Sequence, residues 1–172
     1  MDQERATEEP HYPPNAVHMM RTTQLAHFQL SAMADHKASI LMGASFVIFT
    51  ITIGQARGAA APLPLLILGA AAFLSAVFTV LSVLPAVRRR KDAPLNLLFF
   101  GSFTELGEEE FVERITERLK SDDTVYRTMA HDIYQNGCVL QHKKYRLLGW
   151  AYRIFLIGLV ASAAAFVWEA AL

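Results

Sequence analysis

Cysteine is nearly absent from this sequence of 172 residues, and charged residues are scarce. The only cysteine is Cys138, so the chain can form neither an internal disulfide nor a cysteine-based zinc site. Charged residues make up 19% of the chain, below the roughly 25% that is typical of soluble domains. Lys and Arg number 16 and Asp and Glu number 16, which gives no whole-chain attraction to nucleic acid. These features exclude a disulfide-stabilised fold and give no support for nucleic-acid binding.

The motifs of common enzyme classes are missing as well. The sequence has no glycine-rich phosphate loop, no HExxH motif and no GxSxG motif. Its six histidines are scattered along the chain, and a metal site built from His27, His36 and His131 would need several helices to meet. We therefore expect no catalytic residues and no metal, and we expect that the protein is not an enzyme.

The N-terminal residues lack the apolar core of a signal peptide. Residues 1–17 are acidic and contain three of the seven prolines, so we predict a disordered tail there. Without a cleavable signal, the first apolar segment is expected to direct its own insertion.

Charge is missing altogether from two long neighbouring runs. Nineteen residues separate Lys37 from Arg57, and 30 separate Arg57 from Arg88. A helix crosses the roughly 30 Å core of a bilayer with about 20 apolar residues. The runs therefore predict a transmembrane hairpin, with spans at Ala38–Ala56 and Pro62–Val87. The alternative is a hairpin buried in a soluble protein, but so few charges would leave such a protein little polar surface.

A third apolar run closes the sequence. It reaches membrane thickness over Leu147–Trp168 if Arg153 extends its guanidinium to the nearby headgroups. Trp150 and Trp168 are typical anchors at the two membrane interfaces. The predicted fold is therefore all-α: a bundle of three transmembrane helices with cytoplasmic helical extensions.

The placement of basic residues predicts the orientation. Twelve of the 16 Lys and Arg residues lie between Arg88 and Arg153, whereas Arg57 alone lies in the first turn. Positive residues favour the cytoplasmic side. We therefore expect the N-terminus and residues 88–146 in the cytoplasm, and the C-terminus outside.

The remaining segments complete the predicted organisation. Residues 18–37 form an amphipathic helix, with Leu25, Phe28, Ala32 and Met33 on one face, that continues into the first span to complete the unit 18–87. In the cytoplasmic segment 88–146, an apolar loop is expected over residues 92–107 and a short helix over residues 108–120, followed by a helix capped by Asp122 or Asp123. The unit 147–172 holds the third span. Two sets of small residues are candidate packing or oligomer faces: Gly69, Ala72 and Ala76, and Gly158 and Ser162.

A cationic and aromatic layer on the cytoplasmic side is the only candidate ligand site. Basic side chains can pair with a phosphate, and aromatic rings can stack on a base. The alternatives are contacts of the cations with anionic lipid headgroups, and simple packing of the aromatic rings. The candidate ligand-binding residues are Asp35, Lys37, Arg88, Arg89, Asn96, Phe99, Phe100, Lys143 and Lys144.

Three segments resemble a known family. They are ADHKASILMG at residues 34–43, NLLFFGSF at residues 96–103, and KYRLLGWAYRIFLIGL at residues 144–159. In order and spacing they resemble the membrane effectors of the Pycsar anti-phage system, the pyrimidine-cyclase defence of bacteria. No segment resembles a classical cyclic-nucleotide-binding β-barrel, so a nucleotide would have to bind the helical layer, for example at a subunit interface.

The resemblance implies a role and partners. A partner cyclase makes a cyclic pyrimidine nucleotide, cUMP or cCMP, and the effector responds by damaging the bacterial inner membrane before phage mature. This implies the nucleotide as activating ligand, the lipid bilayer as partner, and a homo-oligomer. The sequence also allows a passive membrane scaffold that recruits a soluble partner through residues 108–145. A transporter is disfavoured because the spans carry almost no charge.

Overall fold

The regular secondary structure is entirely helical within the residues that the computed structural model describes, which are 10–56, 62–85 and 94–171. In chain order its helices are α1 (Ala16–Ala56), α2 (Leu63–Val83), α3 (Phe100–Phe103), α4 (Glu108–Arg118), α5 (Asp122–Val139), a π-helical segment (Leu140–Tyr145) and α6 (Arg146–Ala170). Three helices are long and apolar enough to cross a membrane: Ala16–Ala56, Leu63–Val83 and the continuous helix Asp122–Ala170. The predicted all-α fold with three spans is confirmed.

The chain divides into two compact units. The first, here called the polar unit, comprises the described residues 10–28 and 94–138. The second, here called the span unit, comprises the described residues 29–56, 62–85 and 139–171. Of the three candidate spans, Leu63–Val83 lies wholly in the span unit, whereas Ala16–Ala56 and Asp122–Ala170 begin in the polar unit and continue into the span unit. Helices α3 and α4 belong to the polar unit.

Helix α1 is continuous, as predicted, and its 41 residues reach about 60 Å at 1.5 Å per residue. It begins at Ala16, and Tyr12 upstream of it bonds to Asp123, so the disordered tail predicted over residues 1–17 is too long. Residues 1–9 lie outside the described residues.

The apolar face expected on the first part of α1 is not covered by any of the described residues. Leu25 and Phe28 are exposed, at 62% and 67%, and Met33 is exposed as well. The periodicity shows which side of the helix is apolar but not what covers it. In the polar unit, the side chains of Gln24 and His27 lie against α5 instead.

Prolines set both ends of α2. Pro62 precedes the first helical residue and Pro64 lies in the first turn, where its missing N–H costs little. The helix ends at Val83, earlier than the predicted Val87, because Leu84 precedes Pro85 and adopts the extended conformation that a proline imposes. Pro85 thus terminates the helix instead of kinking it.

Small residues bring the spans of the span unit into close contact. A Cβ atom placed on Gly158 would lie 2.0 Å from the Cβ of Ala71, and one placed on Gly69 would lie 2.5 Å from Thr52. Ala72 is fully buried. The small-residue faces expected to serve packing or oligomer contacts are therefore occupied by contacts within the chain.

The polar unit contains one short helix, α3, that the sequence did not predict. The segment predicted as an irregular loop contains α3, and Phe103 at its end stacks on Phe111 of α4, with ring centroids 4.8 Å apart. The N-terminus of α5 is capped by Ser121, whose hydroxyl accepts a hydrogen bond from the Thr124 backbone N–H. Asp122 and Asp123, the predicted caps, lie in the first turn instead.

Candidate functional site

A buried carboxylate lies at the centre of the polar unit. Asp132 of α5 is 4% exposed and accepts hydrogen bonds from three side-chain amides. Gln24 of α1 donates to Oδ2 at 2.9 Å, and Asn96 and Asn136 donate to Oδ1 at 3.0 and 2.9 Å. Amide donors thus satisfy a buried acidic group, as burial requires. We call Asp132, Gln24, Asn96 and Asn136 the amide cluster.

Asn96 also shapes the segment that leads into α3. Its side-chain oxygen accepts a hydrogen bond from the Leu98 N–H at 2.9 Å, which is the pattern of an Asx-turn. Its backbone N–H donates to the Ser102 hydroxyl at 3.0 Å. Asn96 is 1% exposed, so a ligand reaches it only if this turn opens.

The absence of a side chain at Gly137 allows α1 to approach α5. A Cβ atom placed there would lie 3.3 Å from Cε1 of His27. The Nδ1 atom of His27 is buried and has no hydrogen-bond partner among the described residues. Gly137 therefore allows His27 of α1 to pack against α5, and this contact offsets the low helix propensity of glycine.

The two predicted aromatic residues lie side by side. The rings of Phe99 and Phe100 are 5.0 Å apart between centroids and are tilted by 51°. Phe100 is 58% exposed and Phe99 is half-buried. The pair therefore leaves one aromatic ring accessible to a stacking partner.

A groove of about 780 Å³ runs beside this segment in the polar unit. Its apolar wall is formed by Pro94, Leu95 and Leu97. The opposite wall comes from α4 and carries both signs of charge: Glu110, Glu113, Arg114, Glu117 and Arg118. Arg114 is paired with Glu110 at 2.6 Å, so the charges of this wall partly satisfy one another.

Two other predicted residues meet in the span unit. Lys144 of the π-helical segment donates to both carboxylate oxygens of Asp35, at 2.8 and 2.7 Å, and to the hydroxyl of Ser31 at 2.8 Å. The ammonium group is thus held by α1. We call Asp35, Ser31 and Lys144 the charged clamp.

The remaining predicted residues have separate surroundings. Lys143 donates to the Leu84 carbonyl, just after α2, at 2.8 Å. Lys37 is exposed, and its backbone carbonyl accepts a hydrogen bond from the Tyr152 hydroxyl at 3.1 Å. Arg88 and Arg89 lie outside the described residues. The seven candidates that the structure describes thus include one ion pair, Asp35 with Lys144, and one aromatic pair, Phe99 with Phe100.

Sequence reasoning missed Gln24, Asp132 and Ser102. A usable indication existed for Asp132, which lies seven residues after Val125 and three after Met129 and so falls on the apolar side of α5. An acidic residue in such a position is expected to be buried with partners. Gln24 had no comparable indication, because it lies 108 residues from Asp132.

A second polar contact in the polar unit fixes the residues before α1. Tyr12 donates its hydroxyl to Asp123 at 2.7 Å, and Arg127 donates to the same carboxylate at 2.6 Å. The hydrogen bonds from Arg127 and Tyr12 lower the pKa of Asp123, and the hydrogen bond to Asp123 raises the pKa of Tyr12. Such shifts also occur in structural contacts, and nothing in their surroundings marks a catalytic pair.

Within residues 10–56, 62–85 and 94–171, no group of three His, Cys, Asp or Glu residues is arranged to hold a metal ion. A search of curated proteins and of solved structures found no match. A family model described as the Pycsar effector protein domain, PycTM, matches residues 18–169. The match covers nearly the whole chain, from α1 through α6, and includes the amide cluster and the charged clamp. The chain therefore belongs to the Pycsar effector protein family and is an anti-phage effector.

Proposed function

We propose that this effector is activated by a cyclic pyrimidine nucleotide and then damages the bacterial inner membrane, which causes abortive infection. The observation that carries the proposal is the family match over residues 18–169, which includes the spans and the polar unit alike. The nucleotide, cUMP or cCMP, comes from a partner cyclase. The effector itself acts without catalysis, as a membrane protein with its N-terminus and residues 88–146 in the cytoplasm.

The exposed surface of the span unit supports a membrane location. Large apolar side chains point outward from all three spans, among them Phe46 at 68%, Leu74 at 50% and Ile157 at 68% exposure. Water would disfavour so much exposed apolar surface, whereas lipid chains solvate it. The positive-inside rule supplies the proposed orientation.

Two candidate ligand contacts are proposed, each within its own unit: base stacking in the polar unit and phosphate pairing in the span unit. The exposed ring of Phe100 offers a face for the pyrimidine base, and such stacking is worth about 1–3 kcal/mol per base. A cyclic phosphate could take Lys144 from Asp35 and so open the charged clamp. Because the charged clamp joins α1 to the π-helical segment, its opening would favour a different packing of the spans. The shift is limited by the difference in affinity of the nucleotide for the two states.

Cells that carry the effector together with a pyrimidine cyclase test the proposal. We expect propidium uptake and membrane depolarisation when the cyclase is active, and intact membranes when its catalytic residues are replaced. Intact membranes in cells with both proteins and an active cyclase would reject the proposal.

Calorimetry of the detergent-solubilised full chain tests the ligand directly. We expect heat of binding with cUMP or with cCMP. Weaker binding in Phe100→Ala would support the contact in the polar unit, and weaker binding in Lys144→Met would support the contact in the span unit. Phe28→Ala is the matched control, because Phe28 is a phenylalanine of similar exposure, 67% against 58% for Phe100, and is not a proposed ligand contact. Loss of affinity in the control as well would argue against the proposed residues.

The exposed apolar side of α4 favours a second candidate, a membrane scaffold that recruits a soluble protein. Val112 and Leu119 lie seven residues apart on this helix and its C-cap, and they are 52% and 64% exposed. Capture of a soluble partner by the full chain, lost in Val112→Asp, together with intact membranes under either nucleotide, would favour the scaffold.

A further inference from the structure

The inner side of α2 lacks large apolar side chains. Its buried residues are all small or hydroxyl-bearing or proline: Pro64, Gly69, Ala72, Ser75, Thr79 and Ser82. From Pro64 to Ser82 this side extends about 27 Å at 1.5 Å per residue, close to the thickness of a bilayer core. The large residues of α2, such as Phe73, Leu74 and Val80, are exposed at 46–50%. The helix therefore directs its apolar side outward and its hydroxyl side inward.

The other two spans add hydroxyls to the same interior. Ser45 and Thr52 are buried on α1, and half-buried Ser162 lies on α6. Ser75 donates to the Ala151 carbonyl of α6 at 2.9 Å, and Ser162 donates to the Pro64 carbonyl of α2 at 2.7 Å. We call these six residues the hydroxyl face: Ser45, Thr52, Ser75, Thr79, Ser82 and Ser162.

Five of the six hydroxyls donate hydrogen bonds to backbone carbonyls within the bundle. Thr52, Thr79 and Ser82 donate to carbonyls of their own helices, as hydroxyls in membrane helices do, and Ser75 and Ser162 bridge two helices. Ser45 is different. It is 0% exposed, and its hydroxyl has no hydrogen-bond partner in the part of the chain that the structure describes. In the closed bundle an alanine would fill its place without burying an unsatisfied polar group.

We propose that the hydroxyl face lines a water-filled pathway for ions when the span unit opens in the activated state. In the open state, five of the hydroxyls would donate their hydrogen bonds to water instead of to a backbone carbonyl. The hydroxyl of Ser45, which has no partner among the described residues, would gain a hydrogen bond to water. The outward apolar side chains could keep their contact with lipid, so opening would expose few new apolar groups to water. No charged residue belongs to the hydroxyl face, so the pathway passes small ions of either sign. This inference deepens the proposed function and rests on it.

Cysteine accessibility tests the proposal at matched depths. In a Cys138→Ser background, Ser45→Cys, Ser75→Cys and Thr79→Cys place thiols on the hydroxyl face, whereas Phe46→Cys, Leu74→Cys and Val80→Cys place them on the neighbouring exposed side. Full-length variants in dye-loaded proteoliposomes are treated with cUMP or cCMP and a cationic methanethiosulfonate, which reacts with thiolates in water. We expect labelling at the three hydroxyl-face positions to rise by about tenfold or more on activation, because a thiol ionises readily only when hydrated. We expect no rise at the other three.

Dye release without this selective labelling would overturn the pathway while leaving the proposed function intact. Absence of dye release with both nucleotides would count against the proposed function. A second experiment, which needs no ligand, then tests the hydroxyl-lined pathway by itself. Ser45→Asp and Ser45→Lys place opposite charges on the hydroxyl face. Because an unpaired charge is costly to bury in the closed bundle, each variant should favour the open, hydrated state. We expect a leak that prefers cations for Ser45→Asp and anions for Ser45→Lys.

The control for the second experiment is the same pair of charges at Val47, which is 56% exposed on α1. Insertion of every variant is checked by recovery in the membrane fraction. A leak whose ion preference does not reverse with the sign of the charge at Ser45, or the absence of a leak from inserted protein, would contradict the hydroxyl-lined pathway.

Discussion

Asp132 shows how this chain buries a carboxylate with amides as its partners. Three donors from three parts of the polar unit converge on it, and within the described residues each carboxylate oxygen has a partner. Asn96 contributes most broadly, because it donates to Asp132 and accepts from the Leu98 N–H. Removing its side chain takes away one of the two donors to Oδ1 of Asp132, which keeps Asn136, and leaves the Leu98 N–H without its acceptor, which is costly where water is largely excluded.

Asn96→Ala is therefore expected to loosen the segment before α3. The local free energy of opening should fall by about 1–3 kcal/mol, the usual penalty for a buried unsatisfied polar group. Hydrogen exchange over residues 94–104 measures this, with faster exchange of the Leu98 amide as the expected result. Gln29→Ala, an exposed amide on α1, should leave the exchange unchanged. Equal exchange in the native protein and Asn96→Ala would show that the Asx-turn does not hold this segment.

The contact between Tyr12 and Asp123 predicts a pH dependence. The pKa of Asp123 lies below its ordinary value of 3.8, so this carboxylate stabilises the fold above that pH, and the contribution is lost as pH falls through the lowered pKa. The pKa of Tyr12 lies above 10.0, so its contribution is complete below pH 10 and is lost as pH rises through the raised pKa. Between these limits the residues before α1 stay attached to α5.

A titration of Tyr12 by NMR checks this dependence. In Asp123→Asn the pKa of Tyr12 should move back toward 10, because the anionic acceptor is gone. Asp122→Asn is the matched control and should change little, since Asp122 is not among the groups that shift the pKa of Tyr12. An unchanged pKa of Tyr12 in Asp123→Asn would contradict the assigned partner.

At the scale of helices, glycine positions decide how closely the spans approach. Gly158 allows α6 to touch Ala71 of α2, whereas at Gly149 on the same helix no described residue lies within 4 Å of where a Cβ atom would be.

The π-helical segment before α6 also holds the spans together. It carries Lys143 and Lys144, which bond to the residue after α2 and to α1. π-helical turns often occur at functional sites, and here one supplies the charged clamp.

Gly158→Ala should destabilise the packing of α2 against α6. The added methyl group would overlap Ala71, and such overpacking costs about 1–3 kcal/mol. Gly149→Ala should be neutral or stabilising by up to about 1 kcal/mol, because alanine is the better helix former. Unfolding of the full chain in detergent, followed by circular dichroism, compares the two. Ala71→Gly combined with Gly158→Ala should recover stability; a double variant as unstable as Gly158→Ala would show that the two residues do not meet.

The helices were predictable from sequence to different degrees for physical reasons. The apolar runs predicted the location of all three spans because membrane thickness fixes a minimum length. The end of α2 was missed because Pro85 restricts Leu84, a local effect stronger than hydropathy. Two partners of Asp132 could not be predicted, since Gln24 and Asn96 are distant from it in sequence and no spacing rule joins them. Asn136 lies four residues after Asp132 on the same helix, a spacing at which side chains meet. The exposed side of α1 was missed because periodicity cannot identify what covers an apolar face.

At the scale of the whole molecule, three apolar helices and a small polar unit make up one membrane effector. Many large apolar residues of the spans are exposed, which suits a lipid environment. The buried residues of the spans include hydroxyl-bearing ones such as Ser75 and Thr79 and apolar ones such as Ala38 and Leu148. Phe100 is exposed in the polar unit and Lys144 is held by Asp35 in the span unit, and both are proposed ligand contacts. The family match joins these parts in a single anti-phage role.

The central claim is that the chain threads the membrane three times with its basic middle segment in the cytoplasm. Single reporter cysteines in a Cys138→Ser background test it most directly, at Gln3, Gly58, Asp92 and Leu172. An impermeant maleimide added to intact spheroplasts should label Gly58→Cys and Leu172→Cys, and should label Gln3→Cys and Asp92→Cys only after the membrane is permeabilised. Labelling of Asp92→Cys and Leu172→Cys from the same side, or recovery of the protein as a water-soluble species, would contradict the account.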